Sequence, residues 1–146
     1  MVQMKVSKNF IIQELVPQSV YAQFGDKSIW FVDINLINMA QSVRDFFGVT
    51  VTINNWHSKG TLQNRGYRIP LSEVGGKMSQ HKFGRAVDIS FKDLTVTEAY
   101  DKILKNEKLF MSFGLTTLED ILYTKTWLHL DIRNTGLIDK ILIVKP

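Results

Sequence analysis

The apolar positions of this chain change their period from one stretch to the next. Residues 34–47 carry Ile34, Leu36, Ile37, Met39, Ala40, Val43, Phe46 and Phe47 at helical spacing. A broad apolar stripe of that kind predicts an amphipathic helix. Asp33 stands at its N-cap, where a carboxylate accepts from a free N–H, and Gly48 at its C′ position, where left-handed backbone is needed. Residues 49–53 are rich in β-branched side chains and read as a strand. Over residues 85–91, Ala86, Asp88 and Ser90 alternate with Val87, Ile89 and Phe91, which predicts a strand with one apolar face. Thr95 with Glu98 three positions on forms a capping box and opens a helix through about residue 108. Residues 115–118, 127–132 and 140–144 read as three further strands, the first two joined as a hairpin across 121–126. Residues 1–31 are mixed and lead into the apolar run Ile29, Trp30, Phe31, Val32. Residues 54–80 are rich in Asn, Gly, Ser and Lys and read as a long loop, a class that often carries function. A helix early and strands late, with antiparallel connections, predict an α+β fold: a small antiparallel sheet with flanking helices.

A length of 146 residues suffices for one domain with a real core, so 1–146 is read as a single domain. Hydrophobic residues at 45% are ordinary for a globular chain. The absence of cysteine removes both disulfides and thiolate metal sites. Any metal site must therefore draw on His, Asp or Glu, and the histidines are His57, His81 and His129. The net charge of +4 comes from scattered lysines without a basic cluster, which argues against nucleic acid as partner. Such diffuse charge fits an anionic polymer such as a bacterial cell wall, and equally a solvated surface with no partner. The opening MVQMKVSKNF has neither an apolar h-region nor a small-residue cleavage site. No apolar run approaches the roughly 18–20 residues that span a bilayer. The expectation is a monomer made in the cytoplasm without a signal peptide and not inserted in a membrane.

Two short strings hold the candidate chemistry. In SQHKFGRAVD (79–88), His81 lies just before a strand and Asp88 inside it on the polar register. Seven residues of straight strand would separate them by more than about 20 Å. A turn at Gly84 removes that objection, since glycine lets the backbone reverse. In WLHLD (127–131), His129 and Asp131 share one strand face, and Leu128 and Leu130 point to the core. Two imidazoles and one carboxylate make a catalytic zinc set that leaves a position for water. Zinc in such a site lowers the pKa of water toward ~7 and polarises an attacked carbonyl.

SQHKFGRAVD resembles the S-x-H-x-x-G-x-A-x-D motif of the zinc D-alanyl-D-alanine carboxypeptidases. That family includes L-alanyl-D-glutamate peptidase endolysins and shares its fold with the hedgehog signalling domain. WLHLD resembles its second motif, and INNW (53–56) and RGYR (65–68) are similar to loop segments of phage-encoded members. The resemblance spans residues from about 30 to 134. It implies a hedgehog/DD-peptidase-like fold with zinc held by His81, Asp88 and His129, and hydrolysis of a peptide bond in peptidoglycan stems, of D,D-carboxypeptidase or L-alanyl-D-glutamate endopeptidase type. It also implies a phage lysis enzyme or particle component, reaching the wall after release or within the virion, with a bacterial remodelling enzyme left open.

Several branches of the family carry the general base three or six residues before the late histidine, and those positions here are Thr126 and Tyr123. Two carboxylates can substitute. Glu119 precedes the predicted hairpin turn, so the returning strand can set it beside His129. Asp131 can approach the ion, or can accept a hydrogen bond from a ligand imidazole and fix its tautomer. Arg65 and Arg68 are candidates for a substrate carboxylate, which a guanidinium grips with two hydrogen bonds; a surface role is the other reading. Ser79 and Gln80 either donate near the site or shape the turn. Trp127 either walls the cleft or belongs to the core, and His57 is a fourth ligand or an exposed loop residue. The alternative to an enzyme is a catalytically silent, metal-stabilised wall-binding or structural module of a phage particle, for which the missing acid at Tyr123 and Thr126 is the argument.

Overall fold

In the computed structural model, which describes residues 3–146, four helices surround a five-stranded sheet. The helices are α1 (Gln18–Phe24), α2 (Ile34–Phe47), α3 (Val96–Lys105) and α4 (Glu107–Ser112). The strands are β1 (Val51–Thr52), β2 (Ala86–Phe91), β3 (Thr117–Glu119), β4 (Leu128–Asp131) and β5 (Leu142–Val144), in spatial order β1-β2-β4-β3-β5. The fold is α+β, as the chain order predicts.

Helix α2 runs between the residues that should bound it. The Asp33 side chain accepts from the Asn35 N–H, and Gly48 closes the helix at φ 65°. Leu36, Ile37, Met39, Ala40 and Val43 are buried, whereas Ile34 and Phe46 at the two ends remain exposed. The capping box at Thr95 and Glu98 is formed, each side chain meeting the other's backbone N–H. The helix it opens breaks at Asn106, whose ψ of 36° is not helical, and α4 restarts immediately.

The sheet corrects the expectation in two respects. It is mixed, because β5 pairs with β3 in parallel while the other pairings are antiparallel. It is also shorter at its β1 edge, where only Val51 and Thr52 of residues 49–53 meet β2. Edge strands of this kind form only where a partner offers hydrogen bonds, so β-branched composition alone does not set their length.

Register places the chemistry. In the β2–β4 pair Asp88 lies opposite His129, and in the β3–β4 pair Thr117 lies opposite Asp131. Continuing that register sets Glu119 beside His129. The alternate residues Val87, Ile89, Leu118, Leu128 and Leu130 are fully buried in the core shared with α2, α3 and α4. Each is an anchor that keeps its neighbours on the opposite face aimed outward. Truncating Leu130 to alanine is expected to lower stability by about 2–5 kcal/mol. None of the helices is long and apolar enough to cross a membrane, among the described residues.

Candidate metal centre

His81 and Asp88 come together because the backbone turns between them. Residues Gln80–Phe83 form one tight 3-10 turn, closed by Gly84 at φ 67°. Gly84 donates its N–H to the His81 carbonyl, and its own carbonyl accepts from Asp33 N. A Cβ at Gly84 would overlap the Phe31 carbonyl, so glycine is required there for space as well as for φ. The loop before the turn is stitched to it, with Arg68 N donating to the His81 carbonyl at 3.0 Å and Asp88 N to the Arg65 carbonyl at 2.7 Å.

One nitrogen of His81, one of His129 and one oxygen of Asp88 all lie within 4.8 Å of one another, and the three residues are buried. His81 Nδ1–H donates to the Gly66 carbonyl at 2.8 Å, because a carbonyl can only accept. Its other nitrogen, Nε2, lies 3.3 Å from Asp88 Oδ2. His129 presents the opposite nitrogen: Nδ1 faces Asp88 Oδ1 at 2.9 Å and Glu119 Oε1 at 3.6 Å. Its Nε2 meets Asp131 Oδ2 at 2.8 Å. Each imidazole is thus gripped from behind and turns its other nitrogen to a common point, the arrangement that orients metal-binding histidines.

Charge favours a cation at that point. Burial opposes ionisation of Asp88, but hydrogen bonds from His129 and His81, with their positive charge, outweigh it and hold the carboxyl well below the usual carboxylate range. Burial also works against charging of His129. Hydrogen bonds to Asp131 and Asp88, with the negative field of Asp88 and Glu119, overcome it and push the imidazole up to about 9. Surroundings that hold a proton on a buried imidazole so firmly attract other cations too. Two imidazoles and a carboxylate, without thiolate, form a donor set for a divalent ion of borderline hardness. The residues fit a metal ion, and no other described group of three or more His, Asp or Glu does so.

The triad floors a cleft of about 590 Å³. Glu119, half-buried, lines it next to His129, where the hairpin reading of the sequence puts it. Asp131 is completely buried behind His129 and does not line the cleft. It therefore occupies the tautomer-fixing position of the two open to it. Arg68 lines the cleft and reaches Asp88 Oδ2 with Nη2 at 3.2 Å, while its Nε donates to the Asn64 carbonyl. Arg65 turns away, donating to Ser90 Oγ at 3.2 Å, and borders an adjoining pocket of about 270 Å³. Trp127 is half-buried and stands in the wall between the two cavities rather than in the core. Ser79 and Gln80 line the cleft at the start of the 3-10 turn, and Gln80 Oε1 has no hydrogen-bond partner although that atom is buried. His57 packs edge-on against Trp56 and stays outside the triad. Tyr123 is exposed, on the loop joining β3 to β4.

Two participants carry no signal that sequence reasoning picked out. One is the Gly66 carbonyl, a backbone group. The other is Arg133, whose guanidinium grips Asp131 from just beyond β4. Comparison of the chain with protein-family models, with curated proteins and with solved structures finds no match.

Proposed function

We propose that the chain is a zinc peptidase acting on the stem peptides of bacterial peptidoglycan. The observation that carries this reading is the convergence of His81, Asp88 and His129 on one point at the floor of a cleft, with the Glu119 carboxylate beside them. The motif resemblance of residues 79–88 and 127–131 to zinc carboxypeptidases and endolysin peptidases supplies the substrate class. A zinc ion held by the triad would polarise the scissile carbonyl and acidify water.

The remaining roles belong to side chains. Glu119 Oε1 takes a proton from the attacking water and passes it to the leaving amine as the C–N bond breaks. Arg68 offers N–H groups toward the cleft and is the residue best placed to hold a carboxylate of the stem peptide. Trp127 covers one side of the bound chain and excludes water from it. A silent binding module is the alternative argued from Tyr123 and Thr126, and the Glu119 carboxylate on β3 beside His129 supports the enzyme reading over it. Digestion of purified peptidoglycan with and without a chelator tests the proposal. Chelator-sensitive release of stem peptides is expected, and identical muropeptides in both samples would overturn it.

A further inference from the structure

We infer that Arg133 is a positioning residue of the metal site, acting on His129 through Asp131. Nothing in the motif strings assigns it a role. The inference rests on the triad being a metal site, and not on which substrate that site serves.

Asp131 is fully buried, yet each of its oxygens is committed. Oδ2 accepts from His129 Nε2 at 2.8 Å, from Arg133 Nε at 3.1 Å and from Arg133 Nη2. Oδ1 accepts from Arg133 Nε at 2.9 Å and from the Arg133 backbone N–H at 3.2 Å. A carboxylate gripped on both oxygens by one guanidinium cannot rotate about its terminal bond without breaking several hydrogen bonds. Its remaining acceptor direction is spent on the imidazole, so Nε2 carries a hydrogen and Nδ1 is the nitrogen that would give up its proton to a metal. Nδ1 is the atom facing Asp88 and Glu119.

The clamp is itself held in place. Thr116 Oγ1 donates to the Arg133 carbonyl at 2.6 Å, and Thr116 N donates to the Asp131 carbonyl at 3.0 Å. These contacts fix the backbone just past β4, so that the Arg133 side chain folds back over Asp131. The guanidinium also neutralises a carboxylate that would otherwise be buried beside two others, Asp88 and Glu119, at high cost. Arg133 lines the cleft, but its guanidinium is committed to Asp131 rather than to a triad residue. Its effect passes through the carboxylate.

The test measures zinc affinity by competition with a chromophoric chelator, and the His129 ring nitrogens by long-range 1H–15N spectra of the zinc-loaded chain. Arg133→Met keeps the length and removes the fork. It is expected to weaken zinc binding about tenfold or more, within the range of such supporting contacts, and to lose the sharp Nε2–H signal of His129. Arg133→Lys keeps charge without the planar fork and is expected to fall between wild type and Arg133→Met. Wild-type zinc affinity with an unchanged Nε2–H signal in Arg133→Met overturns the inference. Should Arg133→Met not fold, Arg133→Lys decides, and wild-type values there overturn it equally. No substrate enters these measurements. A chain that binds zinc normally but leaves peptidoglycan intact defeats the peptidase reading alone. Variants indistinguishable from a zinc-binding wild type defeat the Arg133 inference alone.

Discussion

The two histidines of the site are held by different kinds of structure. His81 sits on a 3-10 turn in a loop region, and a backbone carbonyl, that of Gly66, grips it from behind. His129 sits in a central strand and is gripped by a side chain, Asp131, with Arg133 behind it. A carbonyl is neutral and cannot be removed by substitution, so its direction depends on where the loop goes. A carboxylate is charged, tunes the imidazole it touches, and is a single substitution away from loss. The loop half of the site, with His81 and Arg68, should therefore fail through geometry and stability. The strand half, with Glu119, His129 and Asp131, should fail through charge and protonation.

The largest effect belongs to the strand half. Glu119→Gln removes the proton acceptor without removing a ligand. Turnover should fall by about 10²–10⁴-fold while zinc binds at one equivalent. Paired measurements of bound zinc and stem-peptide release check it. Retention of near-wild-type turnover would take the base role from Glu119.

The charge of the strand half also makes stability depend on pH. In the absence of metal, Asp131 and Asp88 hold the His129 imidazole above its ordinary 6.5, at about 9. Its contribution is fully present below pH 6.5 and is lost as pH rises through 9. A shift of that size corresponds to something on the order of 3 kcal/mol. Asp88 acts with the opposite sign. Its depressed pKa contributes stability above the ordinary 3.8, lost as pH falls below that. The metal-free chain should accordingly be most stable between about pH 4 and 6.5. Zinc requires the imidazole unprotonated, so the zinc-loaded chain should not show the decline toward pH 9. Thermal melts from pH 4 to 10, with and without zinc, read both halves of this statement. A metal-free melting curve that is flat between pH 6 and 9.5 would contradict it.

In the loop half the sensitive point is a glycine. A Cβ at Gly66 would run into the Leu15 backbone, against which the Tyr67 N–H also bonds at 2.8 Å. Gly66→Ala must displace that segment and with it the carbonyl that holds His81. A loss of about 1–3 kcal/mol is expected, seen as a Tm lowered by several degrees, with zinc affinity falling alongside. Asp131→Asn should behave the other way round. The amide can present an N–H to His129 Nε2 and drive the hydrogen to Nδ1, which blocks the ligand atom. Zinc affinity should fall about 10–100-fold, the larger effect, although the amide also turns a donor toward the Arg133 guanidinium and lowers the Tm of the metal-free chain. If both variants lost stability and affinity in the same proportion, the distinction between the two halves would collapse.

The strand half was largely legible in the sequence, and the loop half only in part, for His81, the turn at Gly84 and Arg68 are read there but not what holds His81. Alternation in WLHLD separates His129 and Asp131 from Leu128 and Leu130, and the structure follows it. The hairpin reading put Glu119 beside His129 because register in an antiparallel pair follows from turn and pleat. Asp33 with Gly48, and Thr95 with Glu98, mark real helix ends because capping is local chemistry. By contrast, the grip on His81 is a peptide carbonyl, which every residue possesses and no residue type advertises. Arg133 lies two residues past Asp131, where a regular strand would put it on the same face. The strand ends at Asp131, and the Arg133 backbone N–H and side chain both turn onto its carboxylate, a contact that residue type alone does not announce. The parallel β5 and the break at Asn106 escaped for a related reason. Both depend on which distant segment is available to pair or pack, and hydrophobic period does not encode that.

The smallest effects separate the two arginines of RGYR, which the sequence offered on equal terms. Both flank Gly66 in the loop half, but only Arg68 lines the cleft and reaches Asp88. Arg65 is turned to Ser90, two residues further along β2 from Asp88. If Arg68 holds the substrate carboxylate equally in ground and transition states, Arg68→Ala raises KM, by about tenfold, and leaves kcat within a few-fold. Arg65→Ala loses one hydrogen bond to a hydroxyl, worth about 1 kcal/mol or less at a half-buried site, and should leave KM within about threefold. Steady-state kinetics on a soluble stem peptide distinguish the pair. An Arg65→Ala effect on KM as large as that of Arg68→Ala would mean that the substrate enters through the adjoining pocket, and that the loop half binds it from the opposite side of Trp127.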